Sequence, residues 1–264
     1  MNSWCLKTQL ADSGTINFID WSRDGTKFVT GTQTGRVVVY DARTLDQLHV
    51  YSGFGAAINV VRFSRNSQLI GIGGASANIR IMRISDWSII GNYATTGQGS
   101  IVYQLDFSHD DAYMITCGNS NFLKLYTLSV SATAATITEI DVSTDVGQKI
   151  ISCQCSPSAY EVGFGGFSGN GYHLKWKAGG TNRFNPGNNP TVLPFITSGS
   201  LRRGIDYNEI TGTVNLVGSD LHLEIWSPNG GGTTTKINIG KNMNNVNIAK
   251  DGTYAAIVGA SGAT

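Results

Sequence analysis

Ile19-Asp20-Trp21-Ser22-Arg23-Asp24-Gly25 sets a pattern: an apolar strand, one large residue and a polar turn. The order returns as Val61-Arg62-Phe63-Ser64-Arg65-Asn66 and as Leu105-Asp106-Phe107-Ser108-His109-Asp110. Weaker copies are Cys153-Gln154-Cys155-Ser156-Pro157-Ser158, Ile205-Asp206-Tyr207-Asn208 and Val246-Asn247-Ile248-Ala249-Lys250-Asp251-Gly252. Their central residues, Trp21, Phe63, Phe107, Cys155, Tyr207 and Ile248, form a series of anchors spaced 42, 44, 48, 52 and 41 residues apart. A second large residue closes an alternating stretch after each of the first five anchors. Tyr40, Met82, Tyr126, Trp176 and Trp226 follow at offsets of 19, 19, 19, 21 and 19.

Each copy reads as four strands, a to d. Strand a ends at the anchor, and the Asp-Gly, Asn-Ser or Asp-Asp that follows suits a tight turn because these residues tolerate positive φ. Strand b is exemplified by Lys27-Phe28-Val29-Thr30 and Ala112-Tyr113-Met114-Ile115. A Gly-rich turn, strand c and a looser strand d complete the unit, and no helical periodicity of useful length interrupts it. A four-stranded unit repeating every ~40–45 residues is the signature of a β-propeller blade. One such sheet cannot bury both faces alone, so blades stack radially and share their core.

The chain resembles the WD-repeat propeller family over nearly its whole length. The resemblance rests on Trp21-Ser22-Arg23-Asp24-Gly25 and its copies, on Val37-Val38-Val39-Tyr40-Asp41 and on Leu223-Glu224-Ile225-Trp226-Ser227. The repeats are divergent. Only Tyr40-Asp41 approaches the family's terminal Trp-Asp pair, and the usual Gly-His pair is missing, so the family's buried His–Ser/Thr–Asp–Trp network is not assembled in the usual way. The expected fold is all-β: one propeller over residues 1–264, of about six four-stranded blades with the last incomplete. The sixth anchor plus 19 falls beyond Thr264, so the reading favours a truncated ring or a fragment of a longer propeller. Trp4 to Leu10 occupies the place of a d strand. Ser129–Val146 and Lys177–Ser200 read as polar surface insertions in blades three and four.

Composition narrows the function. Nineteen basic and eighteen acidic residues give a formal charge of +1, which argues against a general nucleic-acid binder. Charged residues are 14 % of the chain, and 33 glycines serve many turns. The longest mainly apolar stretch, Tyr254–Ala263, is far short of the ~20 residues of a spanning helix. Met1-Asn2-Ser3-Trp4-Cys5 has no secretory pattern, and Cys5, Cys117, Cys153 and Cys155 have no disulfide-framework spacing. A cytoplasmic protein with reduced thiols is expected.

Chemical motifs fail on inspection. Gly71-Ile72-Gly73-Gly74-Ala75-Ser76 and Gly163-Phe164-Gly165-Gly166-Phe167-Ser168 begin like a dinucleotide fingerprint. Neither carries the last glycine or opens a helix, and glycine in strand b instead permits close blade packing. His49, His109, His173 and His222 are dispersed. Cys153 and Cys155 share one side of a strand, as a soft-metal or thiol site would need, but free cysteine in strand a packs as a small hydrophobe, and packing is the expected role. Asp20, Asp106 and Asp206 each precede an anchor, and their equal register implies a repeated structural role with a backbone or Ser/Thr partner. No catalytic residue, metal or cofactor is expected. The weighed alternative is a metal- or carboxylate-dependent propeller hydrolase or lactonase using the channel, which metal content and three converging ligands would reveal. A sugar- or surface-binding propeller is a third reading, suggested only by the Gly/Asn/Thr-rich surface and testable on a glycan array.

Resemblance to the family implies a partner-facing mouth at the start of strand a, about four and six residues before each anchor. The four-back set is Asn17, Asn59, Tyr103, Ile151, Arg203 and Asn244; the six-back set includes Thr15, Ala57, Ile101, Lys149, Leu201 and Asn242. Tyr and Arg dominate binding hot spots. Tyr103, Arg202 and Arg203, with Lys149 adding charge and Asn17, Asn59 and Asn244 completing the rim, therefore form the candidate partner-binding set. An acidic or phosphorylated peptide suits the arginines, which supply bidentate donors. A non-enzymatic interaction scaffold within a larger complex, binding a protein or peptide and neither nucleic acid nor membrane, is the function expected.

Overall fold

A computed structural model describes residues 14–95, 99, 101–167, 171–179, 183–184, 191–192, 202–219, 222–227, 234–240, 242–248, 253 and 255–259, of which 191–192, 202–203, 234 and 258–259 are described as backbone only. Blade one is β1 (Ile16–Trp21), β2 (Lys27–Thr32), β3 (Val37–Asp41) and β4 (Gln47–Tyr51). Blade two is β5 (Ile58–Phe63), β6 (Leu69–Gly74), β7 (Ser76–Arg83) and β8 (Ile89–Ala94). Blade three is β9 (Val102–Phe107), β10 (Tyr113–Gly118), β11 (Lys124–Val130) and β12 (Ala135–Val142). Blade four is β13 (Ile150–Cys155), β14 (Glu161–Gly166), β15 (Gly171–Lys175) and β16 (Thr191–Val192). Blade five is β17 (Arg202–Tyr207), β18 (Val214–Gly218), β19 (His222–Trp226) and β20 (Thr234–Asn238). A two-stranded sheet, β21 (Met243–Ile248) and β22 (Ala255–Gly259), follows. Each sheet is an antiparallel meander in chain order, as the repeat predicts.

The turn after each anchor explains why strand a folds back at once. Ser22, Ser64 and Ser108 stand one residue past their anchors, and each Oγ accepts the backbone N–H opening strand b, from Lys27, Leu69 and Tyr113 at 2.9–3.0 Å. The same hydroxyls donate to Asp24, Asn66 and Asp110 at 2.6–2.8 Å. Gly25, Ser67 and Asp111 then take the positive φ, near 60–70°, that closes the turn. Ser67 and Asp111 also reach the preceding blade. The Ser67 hydroxyl accepts from Arg23 N–H at 2.9 Å, and the Asp111 carboxylate accepts from Arg65 and Asn66 N–H.

The core lies between blades. Val29, Val37 and Val39 of blade one pack with Ile58, Val61 and Phe63 of blade two. Val60, Ile79 and Ile81 of blade two meet Val102, Leu105 and Phe107 of blade three. Ile115, Cys117 and Leu125 of blade three meet Ile150, Cys153, Cys155 and Phe164 of blade four. Every slab is therefore shared, and no blade stays dry alone. Close approach is secured by glycine in strand b. A Cβ on Gly71 would lie 2.7 Å from Leu105 Cδ1, and one on Gly163 would lie 2.7 Å from Ile205 Cδ1.

Two expectations are corrected in detail. Ser129–Val146 is no simple insertion loop: it finishes β11 and forms β12, so the extra length goes into a longer outer hairpin joined at 131–134. Its Ser/Thr/Ala content hid the alternation of a strand half exposed at the rim. Trp21, alone among the anchors whose side chains are described, is largely exposed, at 51 %. The face of β1 carrying Ile19 and Trp21 borders an open cleft shared with β21 rather than a packed slab. Most of Lys177–Ser200, and all of Trp4–Leu10, lie outside the described residues.

Candidate functional site

Strands β1, β5, β9, β13, β17 and β21 pack in series, one against the next, and line the axis. Each is the inner edge of its sheet, with backbone N–H groups turned toward the channel. Unpaired edge amides are a liability. The three aspartates at equal register resolve it. Asp20 accepts the N–H of the next blade's anchor, Phe63, at 2.8 Å. Asp106 takes its own anchor, Phe107, at 3.0 Å and the next, Cys155, at 2.8 Å. Asp206 takes Tyr207 at 2.9 Å and Ile248 at 2.6 Å. Three carboxylates thus satisfy five anchor amides, and the repeated role predicted for them is the one found, with backbone partners.

Arg62 and Gln154 occupy the same register in the intervening blades. Arg62 Nη1 lies 3.1 Å from Asp20 Oδ1, with its guanidinium over the Phe18 ring at 5.0 Å. Arg65 pairs with Asp106 at 3.3 Å and donates to Cys155 O at 3.0 Å, and Gln154 donates to Asp206. Burial raises the pKa of Asp20, opposed by the charge of Arg62. Burial lifts Asp206 to about 6, against the Ile248 N–H bond and the charge of Arg62. Burial alone would lower Arg62; the charges of Asp20, Asp106 and Asp206 outweigh it and hold the guanidinium above its usual range. Sequence reasoning missed Arg62 and Arg65 as members of this belt. The available signal was register, since Arg62 stands where Asp20 and Asp106 stand.

This belt divides two hollows. At the end where strands a begin, a hollow of 460 Å³ gathers Asn17, Asn59, Tyr103, Ile151 and Asn244. Five of the six four-back positions thus meet around one mouth. Two of the asparagines are engaged in the blade seams: Asn17 Nδ2 donates to Ile58 O at 2.9 Å and Asn59 Nδ2 to Val102 O at 3.0 Å. They clamp successive blades and fix the frame on which Tyr103 is half exposed. Lys149 is exposed but is not part of the hollow's wall. Arg202 and Arg203 fall at the start of β17, and their side chains lie outside the described residues.

At the opposite end, a cleft of 530 Å³ is lined by Asp20, Arg62, Asp106 and Asp206 of the belt, then by Trp21, Arg23 and Glu209 at its rim. Elsewhere, Cys153 and Cys155 lie fully within the core shared with Cys117, and burial raises both thiol pKa values well above the usual range. His173 is buried at 3.1 Å from Glu161. The hydrogen bond from His173 and, after the opposing effect of burial, that from Lys175 lower Glu161 to about 2. Asp110 accepts from the Tyr160 hydroxyl at 2.6 Å, which with burial pushes that phenol up to about 12. Among the described residues, no helix is long and apolar enough to cross a membrane.

A family model described as eukaryotic translation initiation factor eIF2A matches residues 3–129, which take in blades one and two, most of blade three and the stretch before them. A guanine nucleotide-binding protein subunit beta of Arabidopsis thaliana is 25 % identical over 118 residues, covering 42 % of this chain and 31 % of its own length. An echinoderm microtubule-associated protein-like 4 of Xenopus laevis is 29 % identical over 101 residues, covering 37 % of this chain and 11 % of its own length. A counterpart from Xenopus tropicalis matches to the same extent. The matches therefore span a third or less of the relatives' lengths. Radially stacked four-stranded blades in the anchor register make the chain a β-propeller, and its partial matches are to proteins of the WD-repeat kind that its repeats resemble.

Proposed function

We propose that the chain is a non-enzymatic interaction propeller, a module of a larger assembly, that presents the mouth at the start of its inner strands to a protein or peptide. The observation carrying this reading is the convergence of Asn17, Asn59, Tyr103, Ile151 and Asn244 on one hollow. Its walls are inner strands clamped to one another, so docking there orders little of the protein, and preorganisation of this kind lowers the cost of binding. Tyr103 is the aromatic anchor. Lys149, Arg202 and Arg203, which the sequence repeat groups with these positions although Lys149 is not in the hollow's wall, select an acidic or phosphorylated segment by charge-assisted hydrogen bonds. The names of the relatives, one a subunit of a guanine nucleotide-binding protein and another associated with microtubules, support a role in protein association. We assign the protein to the cytoplasm on its free, buried thiols.

The test is affinity purification from the native source with the unaltered chain, Tyr103→Ala and Arg203→Glu, all shown to be folded by thermal unfolding. Loss of the same partners from both variants is expected. Retention of every partner by both would reject this mouth as the docking face.

A further inference from the structure

Four carboxylates line the cleft at the far end of the channel. Three have a guanidinium of their own: Asp20 has Arg62, Asp106 has Arg65, and Glu209 has Arg23. Asp206 makes no direct ion pair among the described residues, and the charge of Arg62 reaches it only from beyond contact distance. Its oxygens receive only the Gln154 amide and the backbone N–H groups of Tyr207 and Ile248. The residue is nonetheless 6 % exposed, and a buried carboxylate with no cation in direct contact is held at a cost. Arg62, 9 % exposed in the same cleft, keeps a buried Nε–H with no acceptor. The rim above them is apolar and open: Ile19 and Trp21 on β1 are half exposed, facing Ile248 and Ala256 across the gap. One wall thus holds a carboxylate with no direct ion pair and a half-exposed indole.

We propose that this cleft receives an arginine or lysine side chain from an extended segment of a protein partner. The cation sits on the Asp206 carboxylate, and its methylene stem lies along Trp21. Each element answers an observed deficit. The cation supplies the direct ion pair that Asp206 lacks, and a ring face attracts cations. An anionic ligand would meet Asp206 and Asp20 unfavourably, so the ligand is opposite in charge to the one proposed for the other mouth. Asp206 titrates near pH 6 in the empty cleft, with Asp20, Asp106, Glu209, Arg62 and Arg23 as the charged groups around it, and cation binding weakens as it protonates.

The experiment is a titration of the full chain, at low salt, with acetyl-Gly-Arg-Gly-amide and with its citrulline counterpart, which keeps the shape and removes the charge. The arginine peptide is expected to bind at least tenfold more tightly than the citrulline peptide at pH 7.5, and less tightly at pH 5. Asp206→Asn, which retains an acceptor for Ile248, is expected to weaken binding at least tenfold. Trp21→Ala, at the exposed rim, is expected to weaken it several-fold without loss of fold. Tyr103→Ala, at the opposite mouth, leaves it unchanged, which separates this site from the other. Equal binding of the two peptides, or undiminished binding by both Asp206→Asn and Trp21→Ala, would overturn the proposal. Spermidine binding as tightly as the arginine peptide, with no effect of Trp21→Ala, would overturn the peptide segment as its occupant.

Discussion

Replacing Arg62 by methionine removes the charge on the channel axis while keeping most of the side chain's volume over Phe18. In the native protein Arg62 Nη1 is 3.1 Å from Asp20 Oδ1, and both side chains are largely buried. Two unit charges about 4 Å apart attract by about 4 kcal/mol at an effective dielectric constant near 20. Removing one partner of a buried pair generally costs about 3–5 kcal/mol, because the other is left uncompensated. Asp20 escapes part of this by taking up a proton, so the expected loss at pH 7 is about 3 kcal/mol. Asp20 already has a raised pKa, and loss of Arg62 raises it further. A carboxylate whose folded pKa exceeds its unfolded value adds stability below the unfolded value and loses it as pH rises through the folded one. The penalty of Arg62→Met therefore shrinks as pH falls from 7 to 5. Urea unfolding of the four proteins in the Arg62→Met and Asp20→Asn cycle measures this. In the Asp20→Asn background the cost should fall to about 1 kcal/mol. A cost below about 0.5 kcal/mol at pH 7, or the same cost in both backgrounds, would refute the axial ion pair as a source of stability.

Asp206→Asn should flatten the stability change between pH 4 and pH 6 in denaturant melts, because it removes a carboxylate whose pKa is raised from 3.8 to about 6. Gly204→Ala should cost about 2–3 kcal/mol, since its Cβ would lie 2.6 Å from Asn245 Cα and 2.7 Å from Val246 N, backbone atoms that cannot turn aside. Thermal unfolding reads that cost. Cys153 and Cys155 should resist a thiol reagent at pH 8 in the folded protein and react fully in denaturant, because both are buried and their thiolates disfavoured.

Much of the architecture was legible because a propeller writes its period twice, at the end of strand a and the end of strand c. The Ser-x-Asp and Ser-x-Asn turns carried chemistry as well as spacing, and Ser22, Ser64 and Ser108 make the hydrogen bonds those turns need. Asp20, Asp106 and Asp206 were legible as a set for the same reason. Their partners were not, since a backbone amide of the next blade leaves no mark in sequence. Arg62 and Arg65 read as ordinary polar positions in a strand and a turn, and only the closing of the blades around an axis sets them against carboxylates 41–42 residues away. The long hairpin of β11 and β12 was hidden by Ser, Thr and Ala, which suit an outer strand half in water as well as they suit a loop. Of the candidate rim, Asn17, Asn59, Tyr103 and Asn244 could be grouped from register alone. That two of them clamp blades depends on a contact between repeats, which a single repeat's pattern does not contain.

Amide hydrogen exchange at the anchors tests the radial arrangement most directly. Phe63, Cys155 and Ile248 lie on inner edge strands, and the acceptor of each N–H is a carboxylate of the preceding blade. Blades standing around a shared axis predict protection of these three amides, with Asp20→Ala, Asp106→Ala and Asp206→Ala each releasing the one amide of the blade that follows it. Rapid exchange at all three in the unaltered protein, or protection unmoved by any of the three substitutions, would contradict the account.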